Sequence, residues 1–340
     1  MVSVSAVLGK SRGWTYKPRA GMRILFITST RIGDAVLSTG LLRHLAARHP
    51  DARFTIACGP VPAPLFASVP GLERIIVLRK KSYARHWLAL WASCVPRYWD
   101  LVVDLRRSLV THFLVARRRR ALGGQRSGHQ VERLGAVLGL APPPAPYLWI
   151  GAREAEEAAR LIPAGVPVLG VGPTANWSPK TWPAERFAAL AARLTSKEGI
   201  LPGARVAIFG DASERDAAQP VLDSIAAERR IDLVGRLDLA TVAACLARCS
   251  FYVGNDSGLM HIAAAVGTKT LGLFGPSPPQ IYAPWGPHTA VAATTIPYAE
   301  LVGAPDFDHR KTDCLMESLS VDTAALAARA LWLRRKGAAA

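Results

Sequence analysis

No apolar run in these 340 residues reaches the roughly 18 that a membrane-crossing helix needs, because an Arg, Gly or Pro interrupts every candidate, and the chain is therefore expected to be soluble. The first stretch, MVSVSAVLGKSRGWTYKPRAG, lacks the uninterrupted apolar core of a secretory leader. It carries Lys10, Arg12, Lys17 and Arg19 without one acid, and reads as a flexible basic tail over residues 1–21. Cysteine is scarce. Five residues, Cys58, Cys94, Cys245, Cys249 and Cys314, are an odd number scattered through apolar segments, which excludes a disulfide framework and fits small buried hydrophobes in a cytoplasmic protein. Cys245 and Cys249 have neither a neighbouring His nor a second Cys pair to complete a tetrahedral metal set. Acids are scarce in one half only: residues 1–150 hold 6 Asp and Glu against 23 Lys and Arg, a surplus of 17, while residues 151–340 hold 19 of each. One half is thus expected to face something polyanionic and the other is not.

What is present is an alternation of short β-type runs with amphipathic helical stretches. RILFITS (23–29), ARFTIACG (52–59), ERIIVL (73–78) and WDLVVDL (99–105) are separated by a helix from Asp34 to His49 and by the helical YARHWLALWASCV. Four arginines at 117–120 sit within a helical pattern. The Pro-rich APPPAPY (141–147) breaks the series like a linker. The alternation then restarts with VPVLGVG (166–172), a helix at 184–197, ARVAIFG (204–210), a helix at 214–229, IDLVG, a helix at 239–248, SFYVGN, a helix after Ser257 and KTLGLFG (269–275), ending in a helical pattern at 321–336. Strands separated by helices predict parallel sheets. The fold class is α/β: two doubly wound, Rossmann-like domains facing across a cleft, 22–145 and 146–320, with a helix and tail at 321–340.

Three polar stretches interrupt this pattern at predicted strand ends. In YVGNDSGLMHIAAAVG (252–267), Asp256 and Ser257 precede a helix start where Gly258 allows close backbone approach, and His261 lies one turn in. Orphan N–H groups and the positive dipole end make such a place an anion site, with a phosphate the natural guest. In GPTANWSPKTWPAERF (172–187), Lys180 and Asn176 occupy the loop before a helix that begins near Pro183; a fixed cation there can neutralise a leaving phosphate. In TSTRIGDAVLSTGLL (28–42), Gly33 and Asp34 join the first strand to the first helix, and Asp34 either caps that helix or points into the cleft as a general base.

In register, these stretches resemble the family 9 glycosyltransferases. The likeness runs from about Met22 to Leu331 and includes RILFITSTRIGDAVLSTGLL, KTWPAERFAAL, the Phe209–Gly210 pair followed by Glu214, NDSGLMHIAAAVGTKTLGLFGPSPP and a late CLMESLSVD. The resemblance implies a GT-B fold, with a nucleotide-sugar donor on the C-terminal domain and the acceptor on the N-terminal one, and inverting transfer without metal or cofactor. It places the catalytic carboxylate on Asp34, the diphosphate-contacting lysine on Lys180, the donor-phosphate turn on Asp256, Ser257, Gly258 and His261, and a ribose-contacting acid on Glu214. Where hydroxyl residues precede the lysine in its typical members, this chain has Ala175 and Asn176.

ADP-heptose is the expected donor and lipopolysaccharide core, or a related envelope glycan, the expected acceptor. Arg31, Gly33, Arg79, Lys80 and Lys81 are candidate acceptor contacts, with peripheral attachment at the inner face of the cytoplasmic membrane drawn by the basic half. No aromatic interleaving accompanies the basic runs, so no specific nucleic-acid partner is expected. Asp306-Phe307-Asp308 resembles a metal-binding Asp-x-Asp only in spelling, since it follows no strand end. Transfer from another nucleotide sugar, or a non-catalytic anion-binding module on the same fold, remain alternatives.

Overall fold

A computed structural model describes residues 21–80, 82–124, 127–303, 307–308 and 313–334. The N-terminal half runs β1 (Arg23–Ile27), α1 (Ile32–Arg48), β2 (Arg53–Cys58), β3 (Leu72–Val77), α2 (Arg85–Cys94), β4 (Leu101–Asp104), β5 (Arg119–Ala121) and α3 (Gln130–Val137). Its five strands form one parallel sheet in the order β3-β2-β1-β4-β5. The C-terminal half runs α4 (Ala152–Leu161), β6 (Val168–Gly172), α5 (Ala184–Thr195), β7 (Arg205–Ile208), α6 (Arg215–Asp223), β8 (Arg230–Asp232), α7 (Leu239–Ala247), β9 (Phe251–Asn255) and α8 (Gly258–Ala265). It continues with β10 (Thr270–Phe274), the short α9 (Pro279–Tyr282), β11 (Thr289–Ala293), the short α10 (Tyr298–Val302) and α11 (Val321–Leu333). Six parallel strands are ordered β11-β10-β9-β6-β7-β8.

Parallel strands bury both faces, which is why β6, β9 and β10 read as unbroken runs of buried residues rather than alternating ones. Apolar side chains fill both faces of each sheet, and one cluster on the C-terminal sheet takes in Val36 of α1 and Leu65, so the two halves share buried surface. In each sheet the strand order reverses beside the first strand of its half, between β1 and β4 and between β6 and β9. Ligands of doubly wound folds bind beyond the carboxyl ends of strands at such switch points. Asp34 follows β1, Lys180 follows β6 and Asp256 follows β9.

Several local readings need correction. The four arginines at 117–120 are not helical: Arg119 and Arg120 open β5, which pairs with β4. The helix expected at 214–229 ends at Asp223, with Pro220, which has no N–H to give, in its last turns. The Pro-rich segment is no free linker. The Pro144 carbonyl comes so close to α1 that a methyl group on Gly40 would lie 2.2 Å from it, and Tyr147 N donates to Thr39 Oγ1 at 2.9 Å. The last helix packs into the C-terminal core through Ala324, Ala325, Ala328 and Leu331. Cys58, Cys94, Cys245 and Cys249 are buried free thiols and Cys314 is half-buried.

Candidate active site

The turn after β9 is built from inside outwards. Asn255 is fully buried; its Oδ1 accepts from Trp182 N and its Nδ2 donates to the Pro173 carbonyl, each at 3.0 Å, so it clamps the turn after β9 to the loop after β6. That clamp brings Lys180, at the end of a single 3₁₀ turn, to Asp256, where Nζ donates to Oδ2 at 2.6 Å with both side chains largely shielded from water. Ser257 is the N-cap of α8, yet its side chain caps nothing. Its hydroxyl and that of neighbouring Tyr252, both buried, complete no hydrogen bond of ordinary geometry. The first N–H groups of α8 have no partner within the helix, so this turn offers hydrogen-bond donors to a guest.

His261 extends it. The ring is buried, with Nε2 4.0 Å from Asp256 Oδ1 and Nδ1 without a partner. Burial pulls its pKa down to about 4; Asp256 opposes this, while His129 and Lys180 add to it. The imidazole is therefore neutral near pH 7. The local charge is one lysine cation against one carboxylate, facing the positive end of a helix.

On the opposite wall, Arg31 is the N-cap of α1 with no side-chain cap, and Asp34 sits in the first turn. Asp34 does not cap the helix. Its Oδ2 takes a long hydrogen bond from Ser29 Oγ at 3.5 Å. Burial raises its pKa above the ordinary carboxylate value, and Arg31, the Ser29 bond, Arg106 and Arg133 each moderate the rise. This is the electrostatic setting of a base whose proton affinity has been lifted while nearby cations keep it ionisable.

The two walls touch. A methyl group placed on Gly33 would meet His261 Cδ2 at 3.0 Å, and one on Gly258 would meet Ile32 Cγ2 at 2.6 Å, so the starts of α1 and α8 meet through two glycines. A second bridge comes from His129, the N-cap of α3. Its Nδ1 accepts from Val131 N, which leaves the proton on Nε2 to donate to the Ala283 carbonyl at 2.9 Å, and its ring packs on Trp285 at 4.5 Å. Between these bridges lies Tyr282, half-buried, its pKa raised by burial and then by Asp34, with Asp256 acting in the same direction and Arg133 and Arg31 opposing. Tyr282 packs against apolar clusters of both halves of the molecule.

The remaining candidates scatter. Asn176 is exposed in the loop before Lys180. Glu214 belongs to a capping box: its Oε2 accepts from Asp211 N and from Thr174 Oγ1, both at 2.8 Å, which fixes the carboxylate at the end of β7. Arg31 is exposed beside Asp34, and Arg79 and Lys80 are exposed beyond β3, two strands and roughly 10 Å from β1. Lys81 and Asp306 lie outside the described residues, among which no cluster of metal-ligating side chains occurs. A concavity of about 700 Å³ lined by Arg48, Arg117, Arg118 and Arg120 also takes in Met22 and Leu101, which places it at the amino ends of β1 and β4, on the edge of the sheet opposite Asp34.

Sequence reasoning missed Tyr282, His129 and the structural use of Asn255. Tyr282 stands in PSPPQIYAPWGP directly after a strand, and an aromatic held among prolines at a strand's carboxyl end was the available signal. His129 carried none, because its role depends on a loop 154 residues away.

Comparison with known proteins agrees with this geometry. Residues 103–306 match the family model described as glycosyltransferase family 9 (heptosyltransferase). Lipopolysaccharide heptosyltransferase 2 of Salmonella typhimurium is 26% identical over 302 residues, covering 77% of this chain and 85% of that protein. Among solved structures, a family 9 glycosyltransferase from Veillonella parvula superposes with a TM-score of 0.75 at 20% identity over 92% of this chain and 97% of its own. The ADP-heptose heptosyltransferase II of E. coli does so with 0.70 at 24% over 92% and 99%. These neighbours carry the two-domain GT-B fold seen here, and the chain belongs to glycosyltransferase family 9.

Proposed function

We propose that the chain transfers heptose from ADP-heptose to a hydroxyl of a lipopolysaccharide core, with inversion and without a metal. The observation that carries this reading is the meeting of the starts of α1 and α8, where Gly33, next to Asp34, packs on His261 and Gly258 on Ile32, beside the Lys180–Asp256 pair. The donor's diphosphate takes the α8 side, where unpartnered N–H groups, the Ser257 hydroxyl and the Lys180 ammonium supply donors and positive charge. The acceptor hydroxyl lies against Asp34. Its oxygen attacks the anomeric carbon from the face opposite the diphosphate and its proton passes to the Asp34 carboxylate. The bond between the anomeric carbon and the phosphate oxygen breaks, and its electron pair leaves with ADP. Fixed donors aimed at the leaving oxygens do the work a metal does in other transferases. Neutral His261 and Tyr282 line the site without adding charge. The acceptor's phosphates and carboxylates suit the basic N-terminal half, at the inner face of the cytoplasmic membrane; among the described residues no helix is long and apolar enough to cross it.

A thermal-shift panel of ADP, UDP and GDP, followed by a transfer assay with and without chelator, tests this reading. Selective stabilisation by ADP with chelator-resistant turnover is expected. A preference for UDP or GDP would replace heptose by another sugar, in keeping with Ala175 and Asn176 before the lysine. Loss of turnover with chelator would refute metal independence, and a flat panel would leave only an anion-binding module.

A further inference from the structure

Seven of the 14 large apolar side chains that are exposed among the described residues lie between residues 77 and 115, and Tyr83, Leu109 and Phe113 are 96, 77 and 72% exposed. Leu88 is presented by α2, just after Tyr83, and Leu109 and Phe113 by the 3₁₀ turn Leu109–Phe113, which is joined to α2 by a hydrogen bond from Trp91 Nε1 to the Phe113 carbonyl at 3.2 Å. The turn is not slack. The Asp104 carboxylate accepts from Arg106 N, Ser108 N, Ser108 Oγ and Thr111 Oγ1, and the Arg119 guanidinium donates to the carbonyls of Thr111, Leu114 and Ala116. A segment fastened this firmly nonetheless holds Leu109 and Phe113 out into water. The three non-glycine residues with left-handed φ among the described residues, Tyr83, Ala84 and Arg107, all fall on this face. Strained backbone of this kind gathers where a surface engages something.

The charge around these side chains has one sign. From residue 74 to residue 120 the chain holds two acids, Asp100 and Asp104, while Arg79, Lys80, Arg85, Arg106 and Arg107 lie in the segments that follow the carboxyl ends of β3 and β4; Arg117, Arg118 and Arg120 belong to the concavity at the other edge of the sheet. Both acids are buried, the first accepting from Arg23 N and the second fastening the turn. A cationic rim around exposed Leu, Phe and Tyr complements a surface that is anionic at its headgroups and apolar just beneath. The face also adjoins the catalytic gap. It follows the carboxyl ends of β3 and β4, and Arg106 lies over the Trp87 ring while donating to Thr30 Oγ1 at 3.4 Å, in the loop that leads to Asp34.

We propose that α2 and the turn Leu109–Phe113 dock on an anionic lipid surface, with Leu88, Leu109 and Phe113 entering the headgroup layer and the arginines contacting lipid phosphates. Resting on the glycolipid-acceptor reading above, the face also brings a lipid-held acceptor beside Asp34. Sedimentation of the full chain with phosphatidylglycerol-containing vesicles and with purely zwitterionic ones tests the docking. The wild type is expected to bind the anionic vesicles. Leu88→Ser combined with Phe113→Ser is expected to cut partitioning on the order of 30-fold while the melting temperature is unchanged, since both side chains are already in water. Arg107→Glu is expected to abolish the preference for anionic lipid. Turnover of a lipid-free oligosaccharide acceptor is expected to be the same in the double variant and the wild type, while turnover of a vesicle-held acceptor falls. Equal wild-type binding to both vesicle types, or unchanged binding by the double variant, would overturn the proposal and place any attachment elsewhere on the chain. Docking through this face without transfer to any glycan would leave it standing and remove the acceptor reading instead.

Discussion

The His261 ring of one half rests against Gly33 of the other, leaving only 3.0 Å for a Cβ that Gly33 does not have. Beside it the absent side chain of Gly258 makes room for Ile32. The closeness of the starts of α1 and α8 therefore depends on two missing methyl groups. Distances across the gap follow from it, because Asp34 is one residue from Gly33 and Asp256 two residues from Gly258.

Restoring one of those methyls tests this closeness. Gly258→Ala places a Cβ 2.6 Å from Ile32 Cγ2 and 2.7 Å from its Cβ, and a β-branched side chain at a helix start has little freedom to turn away. The starts of α1 and α8 must part. Overpacking of this kind costs about 1–3 kcal/mol of stability, and an ångström of misplacement costs roughly 10²-fold in turnover. Ile32→Ala in the Gly258→Ala background should recover most of both. Recovery of the melting temperature without recovery of kcat would show that spacing is not what the glycine secures.

Asp34 supplies the clearest chemical test. Asp34→Asn keeps the shape and removes the base, so kcat should fall by about 10²–10⁴-fold with the melting temperature held or slightly raised, because a half-buried carboxylate has been neutralised. The pH profile adds a sign. A base works when deprotonated, so activity falls as pH drops through its pKa, and burial moves that acidic limb above the ordinary carboxylate range. Arg31 holds it down, so Arg31→Gln should shift the limb of kcat/KM to higher pH. A shift downward would remove Asp34 from the role of base.

Which parts of this were legible in sequence follows from which interactions are local. Parallel strands buried on both faces announce themselves as apolar runs, so β1, β6, β9 and β10 could be read directly, and the turns at their ends followed. Arg119 and Arg120 misled because charged residues do not look like a strand; β5 is an edge strand, half-buried at Arg119 and Arg120, and the Arg119 guanidinium is consumed by three carbonyls. Lys180 and Asp256 were each legible as candidates separately. Their 2.6 Å pairing, and the Asn255 clamp that secures it, depend on tertiary contacts between residues 73 to 82 positions apart. Tyr282 and His129 act across the halves, where a one-dimensional pattern carries nothing.

The Lys180–Asp256 pair separates catalysis from stability. Lys180→Met removes the cation from a pair whose carboxylate is only 8% exposed. Leaving that carboxylate without its partner should cost about 1–3 kcal/mol of stability, and losing a fixed donor on the leaving group should raise the barrier by about 3–4 kcal/mol. Adding Asp256→Asn removes the stranded charge and should return the melting temperature toward wild type while turnover stays low. If the double variant recovered turnover as well, the lysine would be a structural counter-ion and nothing more.

His261 predicts how stability follows pH. Its pKa is about 4 in the folded protein against 6.5 in an unfolded chain, so between those values the unfolded state binds the extra proton. The stability that neutral His261 contributes is complete above pH 6.5 and is lost as pH falls toward 4. His261→Asn cannot titrate, so the stability difference between wild type and variant should stay constant from pH 8 to 7 and then move against the wild type by on the order of 3 kcal/mol by pH 4. His44 and His49 also have lowered pKa values, but they are present in both proteins and cancel in the difference. Chemical denaturation at half-unit steps of pH measures it. A difference that stayed flat down to pH 4 would mean that His261 takes up its proton as readily folded as unfolded. Water would then reach the ring, and the pressed contact with Gly33 that closes the two walls would be absent in solution.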